Sequence, residues 1–123
     1  MKITKIAAVL LMTLPMIGIS QSALADHTEA CQLEVATVRA TIWGADFAND
    51  REQARLSSKA DAASMKLYAH KPYDAIDKLG DIAMKVEALA GARKTKIDAG
   101  DAEDILADVN DAVTCIYNNL GSF

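Results

Sequence analysis

The chain predicts an all-α fold, an antiparallel up-down-up-down four-helix bundle with one disulfide, and three observations lead there. Apolar residues recur at spacings of three and four in four separate segments, the signature of one buried helix stripe each. Residues that start or stop helices stand between the segments. No segment shows the strict apolar–polar alternation of a half-buried strand.

Residues 1–25 are read apart from this fold. Lys2 and Lys5 precede an apolar stretch from Ile6 to Ile19 broken by Thr13 and Pro15, and Ala23-Leu24-Ala25 follows. That order is the one of a secretory signal peptide with its cleavage site, and the stretch falls short of the roughly 20 residues that cross a bilayer. Thr28-Glu29-Ala30 before Cys31 does not form a lipobox, so no lipid anchor is expected. The 98 residues of the second part, 26–123, suffice for one domain and one core. Without Lys2 and Lys5 the chain has 11 Lys and Arg against 17 Asp and Glu, a net charge of −6. An acidic balance of this size argues against a nucleic-acid partner or an anionic membrane surface, both of which require a basic footprint.

The first helix is expected from about Thr28 to Ile42, with Cys31, Val35, Val38 and Ile42 on one stripe and Gly44 marking its end. Asn49 followed by Glu52 has capping-box spacing, and Asp50 adds charge suited to a helix N-terminus, so a second helix is expected from Asp50 to Tyr68. Its inner stripe, Leu56, Ala60, Ala63 and Leu67, is rich in small residues and predicts a close helix approach. His70-Lys71 reads as a short turn before Pro72, which suits the first turn of a third helix. Ala75, Ile76, Leu79, Ile82, Ala83, Val86 and Leu89 give that helix the broadest apolar face, with Gly91 as its stop. Asp98 is read as the N-cap of a fourth helix that buries Ala102, Ile105, Leu106, Val109, Ala112, Val113 and Ile116 and ends by Asn118 and Gly121.

Two cysteines in an exported chain pair more often than they stay free. Cys31 lies at the start of the first helix and Cys115 at the end of the fourth, and in an up-down-up-down bundle those ends are neighbours. Topology thus predicts the disulfide independently of redox chemistry. Neither cysteine belongs to a C-x-x-C pair, the arrangement of a redox-active site.

Motifs that carry chemistry are missing. The two histidines, His27 and His70, lie in the leading segment and in a turn, with no zinc-ligand, covalent-haem or amino-terminal copper spacing. Met65 and Met84 lie on helices but have no histidine on an apolar stripe to join them as haem ligands. The acidic run Asp98 to Asp104 does not match a calcium-loop pattern and reads as helix capping with a solvated face. No nucleophile elbow or phosphate loop occurs, so the expected catalytic set, metal set and cofactor are none, and no enzyme is predicted.

From Leu56 onward the residue order resembles the FIMAH-type helical module, an accessory domain of secreted bacterial and archaeal proteins. The resemblance runs over about Ala54 to Leu120 through Leu56, Lys59, Ala63, Leu67, Ala75, Ile76, Leu79, Val86, Lys96-Ile97-Asp98, Ala102 and Leu106. His70 stands where the module usually has glycine, and Ile82 where it favours Phe. The resemblance implies a helical fold, export and an accessory or interaction role without catalytic residues.

The leading functional expectation is therefore a periplasmic or secreted, non-catalytic helical module that binds a protein or surface polymer. Candidate contacts are Trp43 and Phe47 after the first helix and Arg93, Lys94 and Lys96 between the third and fourth. The expected topology puts both connections at one end of the bundle. The bland alternative for Trp43 and Phe47 is that they cap the core. A runner-up function, carriage of haem or another small apolar molecule, would require a cavity between the helices.

Overall fold

The computed structural model describes residues 30–123; the expected leader at 1–25, together with His27, Thr28 and Glu29, lies outside the described residues. Four helices follow in order: α1 (Gln32–Gly44), α2 (Asp50–Tyr68), α3 (Pro72–Ala90) and α4 (Ala99–Asn118), with a 3₁₀ turn at Leu120–Ser122. Each packs on its neighbours in a closed ring, α1 on α2, α2 on α3, α3 on α4 and α4 on α1. The predicted four-helix bundle is the observed fold.

Its interior is a set of matched seams. Val35, Val38 and Ile42 face inward from α1, Leu56, Ala60, Ala63 and Leu67 from α2, Ala75, Leu79, Ile82, Val86 and Leu89 from α3, and Ala102, Ile105, Val109, Ala112 and Ile116 from α4. Alternating steps of three and four average 3.5 residues, which keeps a seam on one side of a helix over its whole length and brings the helices close to parallel or antiparallel. The expected core positions Ile76, Ala83, Leu106 and Val113 are only partly buried, at the margins where two helices meet.

The disulfide joins Cys31 and Cys115 as predicted, with Cα atoms 5.8 Å apart and the two cysteines 84 positions apart in sequence. It ties the start of α1 to the end of α4. Asn119 Nδ2 donates to the Cys115 carbonyl at 2.7 Å and lies against both sulfurs, closing the last turn over the bond. α1 starts later than the expected Thr28: Cys31 is its N-cap, in a left-handed conformation with φ 67, with its carbonyl accepting from Val35 N at 3.1 Å, while its side chain is buried with the stripe Val35, Val38 and Ile42 as expected.

Helix ends show which local signals acted. Asn49 caps α2, its Oδ1 accepting from Arg51 N at 2.7 Å. The reciprocal half of the expected capping box is absent, because Glu52 turns to α3 and pairs with Lys85 at 3.1 Å. An ammonium group outcompetes a backbone N–H for a carboxylate. Gly91 ends α3 without adopting a left-handed conformation; instead the chain folds back and Lys96 N donates to the Leu89 carbonyl at 3.1 Å.

The turn between α2 and α3 is a Schellman motif built on an unusual residue. His70 N donates to Leu67 O at 3.0 Å and Lys71 N to Lys66 O at 2.8 Å, with His70 at φ 62. Glycine is the ordinary occupant of that position because it has no Cβ to crowd the carbonyl.

Two predictions follow from these ends. Replacing both cysteines by serine, or reducing the bond, lowers the free energy of urea unfolding by about 4 to 5 kcal/mol, the chain-entropy value for a closed loop of this length; a loss under about 1 kcal/mol would show that the bond does not constrain the unfolded chain. His70→Gly raises stability by up to about 1 kcal/mol, since relief of the left-handed penalty exceeds the added chain entropy; a destabilised variant would show that the imidazole itself holds the turn.

Candidate functional site

The connections α1–α2 and α3–α4 meet at the end of the bundle opposite the disulfide, as the topology predicted. They are joined by an antiparallel backbone bridge between Phe47 and Ile97. Ala48 N donates to Lys96 O at 3.0 Å, and Asp98 N donates to Asp46 O at 3.1 Å. Although no strand was expected from the sequence, this single bridge behaves as a two-residue sheet that sews one loop to the other.

Carboxylates and an amide complete the seam. Asp98 caps α4 by accepting from Asp101 N at 3.1 Å, and Asp101 Oδ2 accepts from Asp46 N at 2.8 Å. Gln53 Nε2 reaches three carbonyls at the end of α1, those of Ile42 at 2.9 Å, Ala45 at 3.2 Å and Trp43 at 3.3 Å. Helix-terminal carbonyls lack intrahelical partners, so one amide side chain closes much of the end of α1. The acids of the Asp98–Asp104 run therefore include a cap and a loop tether.

The expected site residues divide into three groups here. Phe47 is half-buried and packs against the core, the capping role weighed for it from the sequence. Trp43 is 50% exposed on the last turn of α1, so it does not cap the core. Arg93, Lys94 and Lys96 are all exposed on the α3–α4 connection. Among the described residues none of these three cations forms an ion pair, which is also true of Arg51, Lys71 and Lys78, whereas Arg39, Arg55, Lys59, Lys66 and Lys85 do. Lys96 borders an open depression of about 370 Å³ that follows the seam past Asp46, Ala48 and Asp98.

Ile97 was not recognised as a core residue from the sequence. It is 2% exposed, and the signal was present: it immediately precedes the cap Asp98 and is followed five residues later by the buried Ala102, the spacing of a hydrophobic staple. Asp46 and Gln53 gave no such signal, because their partners come from other elements.

Other constellations offer less. Met65 and Met84 are 70% and 69% exposed, so neither is an inward ligand for a cofactor held between helices. Cys31, Glu34 and Cys115 lie together, but both sulfurs are consumed by the disulfide. A second depression, about 530 Å³ between α2 and α3, is an open groove whose cations are paired with Glu52 and Asp81. No protein-family model matches the chain, and no curated protein or solved structure matches it significantly.

If the seam holds this end together, Ile97→Ala lowers the free energy of unfolding by about 2 to 4 kcal/mol, the usual range for emptying a buried aliphatic site. Urea titration reads this directly; a change below about 0.5 kcal/mol would mean that the loop lies on the core without stabilising it.

Proposed function

We propose that the protein is an exported, non-catalytic interaction module that holds an acidic protein or surface polymer at its loop end through Arg93, Lys94 and Lys96. The observation that carries this reading is the clustering of three exposed cations, with no ion pair among the described residues, on one loop whose backbone is tied at Lys96 and Asp98. A tethered loop loses less conformational entropy on binding than a free one. The cations stand out against a chain whose overall charge is negative, so they form a local basic contact rather than the broad basic footprint of a nucleic-acid binder.

Export is supported by the leader-like residues 1–25 and by the disulfide, which persists in oxidising compartments. Among the described residues no helix is long and apolar enough to cross a membrane. The resemblance to FIMAH-type modules adds the accessory role.

The test is capture of partners from the periplasm and culture medium of the host on the immobilised protein, repeated with Arg93→Glu, Lys94→Glu and Lys96→Glu combined. The reading predicts a reproducible acidic partner, retained at least tenfold less by the variant and released by salt, with the thermal unfolding of the variant unchanged. Equal retention by both proteins would remove the loop from the contact.

A further inference from the structure

α1 has a second apolar seam that the bundle does not use. Leu33, Ala36, Ala40 and Trp43 follow one another at steps of three, four and three, the same rhythm as the inner seam Val35, Val38 and Ile42, but on the outer side of the helix. All four are exposed, Leu33 by 71% and Trp43 by 50%. A helix that is apolar on both sides is ordinarily enclosed on both sides. The two charged residues of α1 are turned to its flanks: Arg39 pairs with Asp61 of α2 at 2.7 Å, and Glu34 lies beside the disulfide. The outer seam between them is uncharged. Met65, next to the Ser64 that hydrogen-bonds Gln32, carries the apolar surface on to α2 with 70% exposure.

We infer that the outer face of α1 is the contact between two copies of this chain, paired antiparallel across a two-fold axis. The pattern reads the same from either end, large at 33, small at 36 and 40, large at 43, with its centre at position 38. An isologous contact requires a self-complementary surface of this kind, and a foreign partner does not. In such a pair Leu33 packs on Trp43 of the other copy and Ala36 on Ala40 of the other copy, where the small side chains allow the helix backbones to approach closely.

Charge and area favour the same occupant. The acidic surplus is carried by α4, with Asp101, Glu103, Asp104, Asp108 and Asp111 and no Lys or Arg beyond Lys96, whereas α1 is neutral. Two like-charged copies therefore meet with least repulsion at α1. With 13 residues α1 is about 20 Å long. Burying it with Met65 in both copies covers an area no larger than about 1,200 Å², the lower bound of specific interfaces. The pair is thus of the weak, concentration-dependent class. This inference does not depend on the loop-end function, and it assigns Trp43 to the α1 face.

The test is sedimentation equilibrium of the protein produced from its full chain, from about 1 μM to about 500 μM, the range that brackets a micromolar dissociation constant. Trp43 is the only tryptophan, so its emission reports this face alone. The expected result is a doubling of mass with concentration, accompanied by a blue shift of the emission. Ala40→Glu abolishes both while leaving the circular dichroism and the melting temperature unchanged, because position 40 is exposed; Ala36→Glu serves if that variant does not fold. A wild-type mass that stays monomeric over the whole range overturns the inference, as does a dimer that persists in a folded Ala40→Glu variant. A monomer whose Trp43 emission shifts only on adding a captured host protein also overturns it, and assigns the face to that protein.

Discussion

A four-helix ring closes only when its first and last helices lie side by side, and here that pair is separated by nearly the whole domain. Bringing α1 to α4 costs loop-closure entropy before any contact between them is made. α1 is also the helix least able to offset that cost by burial: it has 13 residues and three buried side chains, whereas α3 has 19 residues and α4 has 20, each with five. The bond between Cys31 and Cys115 removes much of the entropy cost from the unfolded chain, and polar ties hold α1 along its length, one to α4 and the rest to α2. Gln32 meets Ser64, Arg39 meets Asp61, Thr41 donates to Asp108, and Gln53 gathers the terminal carbonyls.

The two ends of the bundle differ in chemistry for this reason. The disulfide end is closed covalently and sealed by Asn119. The loop end has no covalent bond and is closed by hydrogen bonds between two connections, with Phe47 and Ile97 beneath them. Those bonds use the backbone and the carboxylates of Asp98 and Asp101, which leaves the cations of the α3–α4 loop outside the structural network. A surface with groups not required for folding is where contact with a partner costs the fold least. The proposed function and the stability of the bundle therefore draw on different side chains of the same loop.

Most of the fold was legible because its determinants are local or topological. The bounds of α2 and the caps Asn49 and Asp98 follow from residues within one or two turns of each other. The cysteine pair follows from the order of four antiparallel helices. What the sequence did not show was set by a distant group: Lys85 drew Glu52 away from the expected capping box, and Phe47 with Ile97 formed a bridge that neither segment announces alone. The site was less legible than the fold. Exposure of the five proposed residues depends on how two loops settle against each other, and only the three cations have a charge that marks them in the sequence. The outer seam of α1 was equally visible in the spacing, but nothing in the sequence shows that it stays exposed once the inner stripe is buried.

The dependence of α1 on its clasp is tested most directly by native-state hydrogen exchange, resolved by residue, on the oxidised and the reduced protein. In the oxidised protein the amides of Val38 and Ile42 should exchange with the same opening free energy as those of Ile82 in α3 and Val109 in α4, as one cooperative unit. On reduction the α1 amides should lose protection well ahead of those in α3 and α4. Equal loss across all four helices, or no loss in α1, would contradict the account.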